Sequence, residues 1–313
     1  MSIVDPSRPI LVYLANGVQG GAVVRAALRR GFRVRALVRD SKRARALATP
    51  GVELAEGDLR DPASLRAASC GVAHAVLQIP IGTQEDLVAQ AGNALSASIA
   101  CGLTSIILKL ASASRPAPCE EPSFVANAMI EDMVRRSGLA FAVVRPTMYL
   151  DNLLKPSARE EIVAHGRFTP PIAEPQEIAW TSADDCADAA LTLLERGATG
   201  GDHRIAGPES VTGDQLAARV AAGLGRPVVY RPQPLEEFER DVDAAMGAGT
   251  GRRVASKFRF FASHRLEANA MLAGPFEPHP GLEDFRPTSI EQWVRRHARD
   301  FDDADRLAAT GET

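Results

Sequence analysis

Leu14-Ala15-Asn16-Gly17-Val18-Gln19-Gly20-Gly21 is the stretch that decides how this chain is read. It lies between an apolar run at 10–14, which reads as a strand, and a segment at 22–30, which reads as a helix. Glycines at such a turn let the backbone bend tightly and approach a pyrophosphate docked on the free N–H groups of the helix N-terminus. Gly17 and Gly20 keep a regular spacing, and one more glycine on that spacing would fall where the chain has Leu14. A leucine there either widens the turn or turns its side chain into the core. The stretch alone weighs no more than an ordinary glycine turn or helix cap.

The next twenty residues add weight. Gly31 ends the helix and Arg33-Val34-Arg35-Ala36-Leu37-Val38 reads as a second strand, closing a strand-helix-strand unit of about 30 residues. Arg39 and Asp40 then stand where such a unit reads the adenosine ribose. A guanidinium at that place suits a 2′-phosphate, since its planar fork gives paired charge-assisted hydrogen bonds. NADP(H) is therefore expected, with NAD(H) as the alternative. Asp40 would instead accept from a ribose hydroxyl, and Lys42 or Arg43 would supplement Arg39, unless all four simply open a solvated helix.

Strands at 52–55, 74–79, 105–110 and 140–144 alternate with helices at 62–68, 85–100 and 125–137. This alternation specifies an α/β fold: a doubly wound parallel Rossmann sheet with helices on both faces, and a smaller α/β C-terminal substrate domain. The expected division is 1–146 with about 180–206 for the NADP-binding domain, and 147–179 with 207–313 for the smaller one. Right-handed crossovers bring every strand's carboxyl end to one edge. The expected cofactor contacts are Asn16, Gly17, Val18, Gln19 and Gly20 at the turn, then Arg39 and Lys42. Asp58 and Leu59 close the third strand beside the adenine, and Gln78, Ile79 and Pro80 close the fourth beside the nicotinamide ribose.

The 313 residues suffice for one large core with an appended domain. With 36 basic against 39 acidic side chains and a net charge of -3, nothing favours a nucleic-acid partner. No apolar run approaches the roughly 20 residues that span a bilayer, and the N-terminus shows no signal pattern. Cys70, Cys101, Cys119 and Cys186 lack any Cys-x-x-Cys spacing, which reads as unpaired thiols in a cytoplasmic setting, with no metal site and no disulfide.

Several stretches together resemble the NmrA-like atypical short-chain dehydrogenase/reductases. Ala15 to Val23 is similar to their Ala-Thr-Gly-x-Gln-Gly-Gly-x-Val turn, Val34 to Asp40 to their second strand with its NADP-reading arginine, and Gly57-Asp58-Leu59-Arg60-Asp61-Pro62 to their third-strand turn. Ser137-Gly138-Leu139, then Val144-Arg145-Pro146, Tyr149 and Asn152, resemble the segment entering the substrate pocket. Ala206 to Gly213 and Pro287 to Trp293 resemble the family's C-terminal region. The resemblance implies an NADP(H)-binding protein with a small apolar or aromatic substrate between its domains, as a monomer or homodimer, with no nucleic-acid or membrane partner.

It also exposes a gap. Ala111 falls at the family's strand-end serine position with Ser112 one residue late, while Ser123 and Asn127 fall at its tyrosine and lysine positions. Neither Ser123 nor Asn127 titrates in the range that proton delivery to a developing oxyanion requires. The candidate catalytic residues are Tyr149, Ser112 and Asn127, against the plainer roles of packing aromatic and loop or helix polar groups. Asn152, Lys109, which shares strand parity with Ala111, and the loop residue His165 are weaker candidates. Asp184 and Asp185 open a helix to Glu195. In the smaller domain, helices at 212–224 and 235–246 flank a short strand at 228–230, and Gly247-Ala248-Gly249-Thr250-Gly251 reads as a mobile break, either lid or linker. Phe258, Phe260, Phe261, Met271 and Phe276 line an apolar pocket or pack helices together, and the tail beyond Asp302 reads as frayed.

The expectation is an oxidoreductase reducing a quinone, enone or aromatic ketone without the usual Tyr/Lys pair. Quinone-type acceptors demand less acid assistance because the oxyanion formed is already stabilised. The alternatives are a noncatalytic NADP(H)-sensing regulator and a non-redox isomerase or cyclase that has repurposed the pocket.

Overall fold

A computed structural model describes residues 8–302; the tail beyond Asp302 lies outside the described residues. The chain divides into two compact units. The first holds the described residues up to Pro146 together with Ala183–Ile205 and Glu277–Phe285, and the second holds Thr147–Ser182, Ala206–Phe276 and the described residues from Arg286.

In chain order the elements up to Pro146 are β1 (Ile10–Val12), α1 (Val18–Arg29), β2 (Val34–Val38), β3 (Val52–Glu56), α2 (Pro62–Ser69), β4 (His74–Leu77), α3 (Gln84–Ala100), β5 (Ser105–Lys109), α4 (Pro122–Arg136) and β6 (Ala140–Pro146). Next come α5 (Pro156–His165) and β7 (Arg167–Phe168) of the second unit, then α6 (Ala183–Glu195) and β8 (Thr199–Ile205) of the first. The first unit's sheet has seven strands in the order β3-β2-β1-β4-β5-β6-β8, every neighbouring pair parallel. Strands covered on both faces need apolar side chains on both, and β1, β4 and β5 are buried throughout. Helices α2, α3 and α4 pack in a row, and α1 packs with α6. The order reverses at β1, so a crevice opens between the carboxyl ends of β1 and β4.

Strand β8 has no counterpart in the sequence reading. Thr-Gly-Gly-Asp-His-Arg-Ile lacks an apolar run because β8 is the edge strand, and Gly200 and Gly201 take φ of 90° and 93° beside a register shift against β6. Charge fastens it instead. Arg145 on β6 donates from Nε to Glu131 of α4 at 2.6 Å and pairs with Asp202 of β8 at 3.0 Å, and Arg135 pairs with Asp202 as well. Residues 277–285, which the sequence reading places in the smaller domain, lie with the first unit. His279 sits 3.1 Å from His203 of β8, and Arg196, just past α6, pairs with Glu283 and Asp284.

The expectation of unpaired thiols fails for one pair: Cys70 and Cys101 form a disulfide, with Cα atoms 4.9 Å apart. The two cysteines cap the C-termini of α2 and α3, which are adjacent in space, and a separation of 31 residues hides that in the sequence. Cys119 and Cys186 are not disulfide-bonded.

The second unit continues with α7 (Gly213–Leu224), β9 (Val229–Tyr230), α8 (Leu235–Met246), α9 (Thr250–Ser263), α10 (Arg265–Leu272) and α11 (Ile290–Arg296). A two-stranded parallel sheet of β7 and β9 supports an aromatic core in which the Phe168 ring meets Trp180 and Tyr230 edge-on. Thr212 and Gln215 cap α7 reciprocally. The glycine run at 247–251 is a tight turn between two helices rather than a lid. Gly247 and Gly249 take φ of 97° and 79°, the Asp243 carboxylate accepts from Gly251 N at 2.6 Å, and a Cβ on Gly251 would overlap the Glu239 carbonyl of α8. Phe258, Phe260 and Phe261 are buried, with Phe258 set edge-on against Phe238 of α8, so their packing role is the one the structure shows.

Candidate functional site

The turn after β1 takes its shape from backbone geometry. Leu14 stands at φ 52°, the left-handed region a glycine would enter without strain, which costs a leucine about 1–2 kcal/mol. Its side chain packs, partly buried, against the core under the sheet, which offsets that cost. Gly17 N donates to the Leu14 carbonyl at 2.9 Å, closing the turn, and Gly17 becomes the N-cap of α1 in an extended conformation. The helix thus begins at Val18, four residues before the sequence places it, so Gln19, Gly20 and Gly21 lie in its first turn. Gly20 is required by contact: a Cβ there would overlap the Leu14 carbonyl oxygen and sit 2.6 Å from its carbon. A Cβ on Gly17 would meet only Leu14 O, at 3.4 Å.

The start of α1 differs from its neighbours on the same sheet edge. Asp61 caps α2, Thr83 caps α3 and Glu121 caps α4, each accepting a backbone N–H with its side chain. Gly17 contributes no such bond, and the first turn of α1 carries no acid. Its N–H groups and the positive end of its dipole are thereby presented to an anion.

Arg39 follows β2 directly and is exposed, with no ion pair or hydrogen bond to its side chain among the described residues. Asp40 is engaged locally: its Oδ1 accepts from Lys42 N at 2.9 Å and Arg43 N at 3.1 Å, which secures the next turn. Lys42 is exposed beside it. Gly57 N donates to Val38 O at 2.9 Å, which sets Asp58 next to Arg39 at the ends of neighbouring strands. Asp58 accepts from Arg60 N at 2.8 Å, and the carbonyl of buried Leu59 accepts from Asn93 at 2.9 Å.

Gln78 is buried, and its amide donates to the Tyr13 carbonyl at 3.3 Å, bracing β1 from β4 one residue before the strained leucine. Ile79 and Pro80 stay half-buried at the crevice. Lys109, the last residue of β5, is 1% exposed and donates from Nζ to Gln19 Oε1 at 2.7 Å. A lysine closing the run Ser-Ile-Ile-Leu-Lys is the one sequence signal for this contact.

Of the catalytic candidates, the structure brings two together. Asn127 on α4 donates to Ser112 Oγ at 3.2 Å and to Ala113 O at 2.7 Å, on the loop after β5. One turn earlier on α4, Ser123 donates to the buried Glu121 carboxylate at 2.5 Å. Tyr149 belongs to the second unit, buried, and bridges to Thr181. Asn152 lies in the short turn that comes after it, accepting from Lys155 N at 3.3 Å, and His165 ends α5 in an exposed position near Glu161. Among the described residues no cluster of three or more potential metal ligands exists, and no helix is long and apolar enough to cross a membrane.

Residues 6–300 match the model of the NmrA-like family. The chain belongs to that family. It is 28% identical over 295 residues to an NAD(P)H azoreductase of Xenophilus azovorans, covering 93% of this chain and 99% of that one. It is 30% identical over 200 residues to quinone oxidoreductase 2 of Escherichia coli K12, covering 63% and 67%. Among solved structures, the Citrobacter sp. triphenylmethane reductase complexed with NADP(H) superposes with a TM-score of 0.73 at 21% identity, covering 93% and 99%, which is a likeness of fold. This NmrA-like chain therefore has the family's architecture.

Proposed function

We propose that this NmrA-like protein binds NADP(H) at the crevice between β1 and β4 and uses it to reduce a small conjugated aromatic acceptor of the quinone or azo type. The observation that carries the reading is the start of α1: the one helix of the sheet's first four to begin on this edge without a side-chain cap, on a turn where Gly20 is sterically obligatory and Gly17 is open. Its first-turn amides would hold the pyrophosphate, and the unpartnered Arg39 beside Asp58 would hold the 2′-phosphate. The relatives named as azoreductase and quinone oxidoreductase support the acceptor class.

When bound, the nicotinamide supplies a hydride. The chain's own residues have less to do than in a carbonyl reductase, because addition to a quinone delivers the electron pair to an oxygen on an aromatising ring. Ser112, held by Asn127, offers that oxygen a hydrogen bond without a titrating group. The test is NADPH absorbance tracked over time with a panel of quinones, azo dyes and aromatic ketones. Acceptor-dependent oxidation that falls at least about tenfold in S112A supports the reading. Tight NADPH binding with no turnover on any acceptor would replace it with a sensing role.

A further inference from the structure

We infer that Lys109 is a positioning residue for the dinucleotide, acting through Gln19. The inference rests on the proposed NADP(H) site and goes beyond it by assigning a role to a side chain buried two strands away from the turn.

Gln19 belongs to the first turn of α1, above the end of β1, and Lys109 ends β5. Strand β4 lies between β1 and β5. With neighbouring strands about 4.8 Å apart, the 2.7 Å bond from Lys109 Nζ to Gln19 Oε1 spans roughly 10 Å of sheet and passes over the carboxyl end of β4. That path crosses the place where the strand order reverses, so the pair forms part of the floor of the crevice.

The chemistry of the two groups fixes the orientation. An ammonium donates three hydrogens and accepts none, so only the carbonyl oxygen of Gln19 can face it. The amide nitrogen, on the opposite branch of the same planar group, is turned away from the ammonium. At the first turn of α1, this adds an N–H₂ donor to the row of backbone amides that would receive the pyrophosphate. A glutamine turned the other way would set its oxygen toward a phosphate and repel it.

Three variants separate this role from a structural one. In K109M an apolar chain of similar length fills the buried space while the anchor is lost. In Q19L both anchor and donor are lost. In Q19E the partner of Lys109 is kept as a carboxylate, but the donor becomes an acceptor. Fluorescence titration with NADPH should show about a tenfold or greater rise in Kd for K109M and Q19L. The double variant should bind no worse than either single one, because the two residues act as one unit. Q19E should retain its melting temperature and lose at least tenfold in NADPH affinity, which a merely structural lysine–glutamine contact does not predict. K109M or Q19E binding NADPH as tightly as the wild type would overturn the inference. If the wild type itself bound no NADPH, the proposed function would fail first, and the melting temperatures would show that folding was not the cause.

Discussion

The two turn glycines make opposite demands, and substituting each by alanine separates fold from ligand. At Gly20 a Cβ would overlap the Leu14 carbonyl oxygen, lie 2.6 Å from its carbon and 2.9 Å from the Tyr13 oxygen, all of them backbone atoms that no rotamer change can move. Either β1 or α1 must shift, and β1 is fixed by parallel pairing on both sides. G20A should therefore cost about 2 kcal/mol or more of folding free energy, at the upper part of the range for overpacking. At Gly17 the backbone stands at φ -87°, ψ 168°, which alanine adopts freely, and its Cβ would meet only Leu14 O at 3.4 Å. The gain from a stiffer unfolded chain, about 0.4–1 kcal/mol, and the poorer capping by alanine nearly cancel. G17A should melt within a few degrees of the wild type, while the methyl occupies the approach to the helix amides and raises the NADPH Kd about tenfold or more. Urea unfolding and NADPH titration on both variants read the two effects. G17A binding NADPH normally, or G20A as stable as the wild type, would be incompatible with these roles for the two glycines.

Removing the Cys70–Cys101 disulfide by C70S/C101S should lower stability by about 3–4 kcal/mol, from the loop of 31 residues it closes, with melts of the oxidised protein as the check; an unchanged melting temperature would contradict it. Burial holds the His203 imidazole below its usual value, His279 adds to that, and the Gly200 carbonyl and Asp202 oppose it. The unfolded chain then binds this proton more readily, so His203 contributes stability above about pH 6.5 that is lost as pH falls. H203Q should flatten that slope in melts across the acidic range. L14G should relieve the left-handed strain at the price of the leucine's packing and leave stability within about 1 kcal/mol, whereas L14V, β-branched at φ 52°, should lose more than L14G by urea unfolding.

Much of the fold was legible because its signals are local. The apolar strands Ile10–Val12 and Ser105–Lys109 sit in a parallel sheet buried on both faces, and such strands announce themselves as continuous apolar runs. Edge strand β8 was not legible, since an edge strand held by Arg145 and Asp202 needs no apolar run. The start of α1 was displaced because glycines inside a first helical turn read as loop. Arg39 stood out by its place after β2, but that Asp40 is occupied by its own turn depends on side-chain geometry. Contacts such as Gln78 to Tyr13, Lys109 to Gln19 and Cys70 to Cys101 join residues 31 to 90 positions apart, and only the sheet order brings them together.

Whether the uncapped start of α1, with Arg39 beside it, is an NADP(H) site is decided by equilibrium titration of the wild type and R39A with NADPH and NADH. Saturable binding is expected in the wild type, tighter for NADPH than for NADH. In R39A the expected loss is about 10-fold to 100-fold for NADPH with NADH little changed, as for a charge-assisted bond to one phosphate. Binding of neither dinucleotide, or an R39A preference equal to that of the wild type, would contradict it.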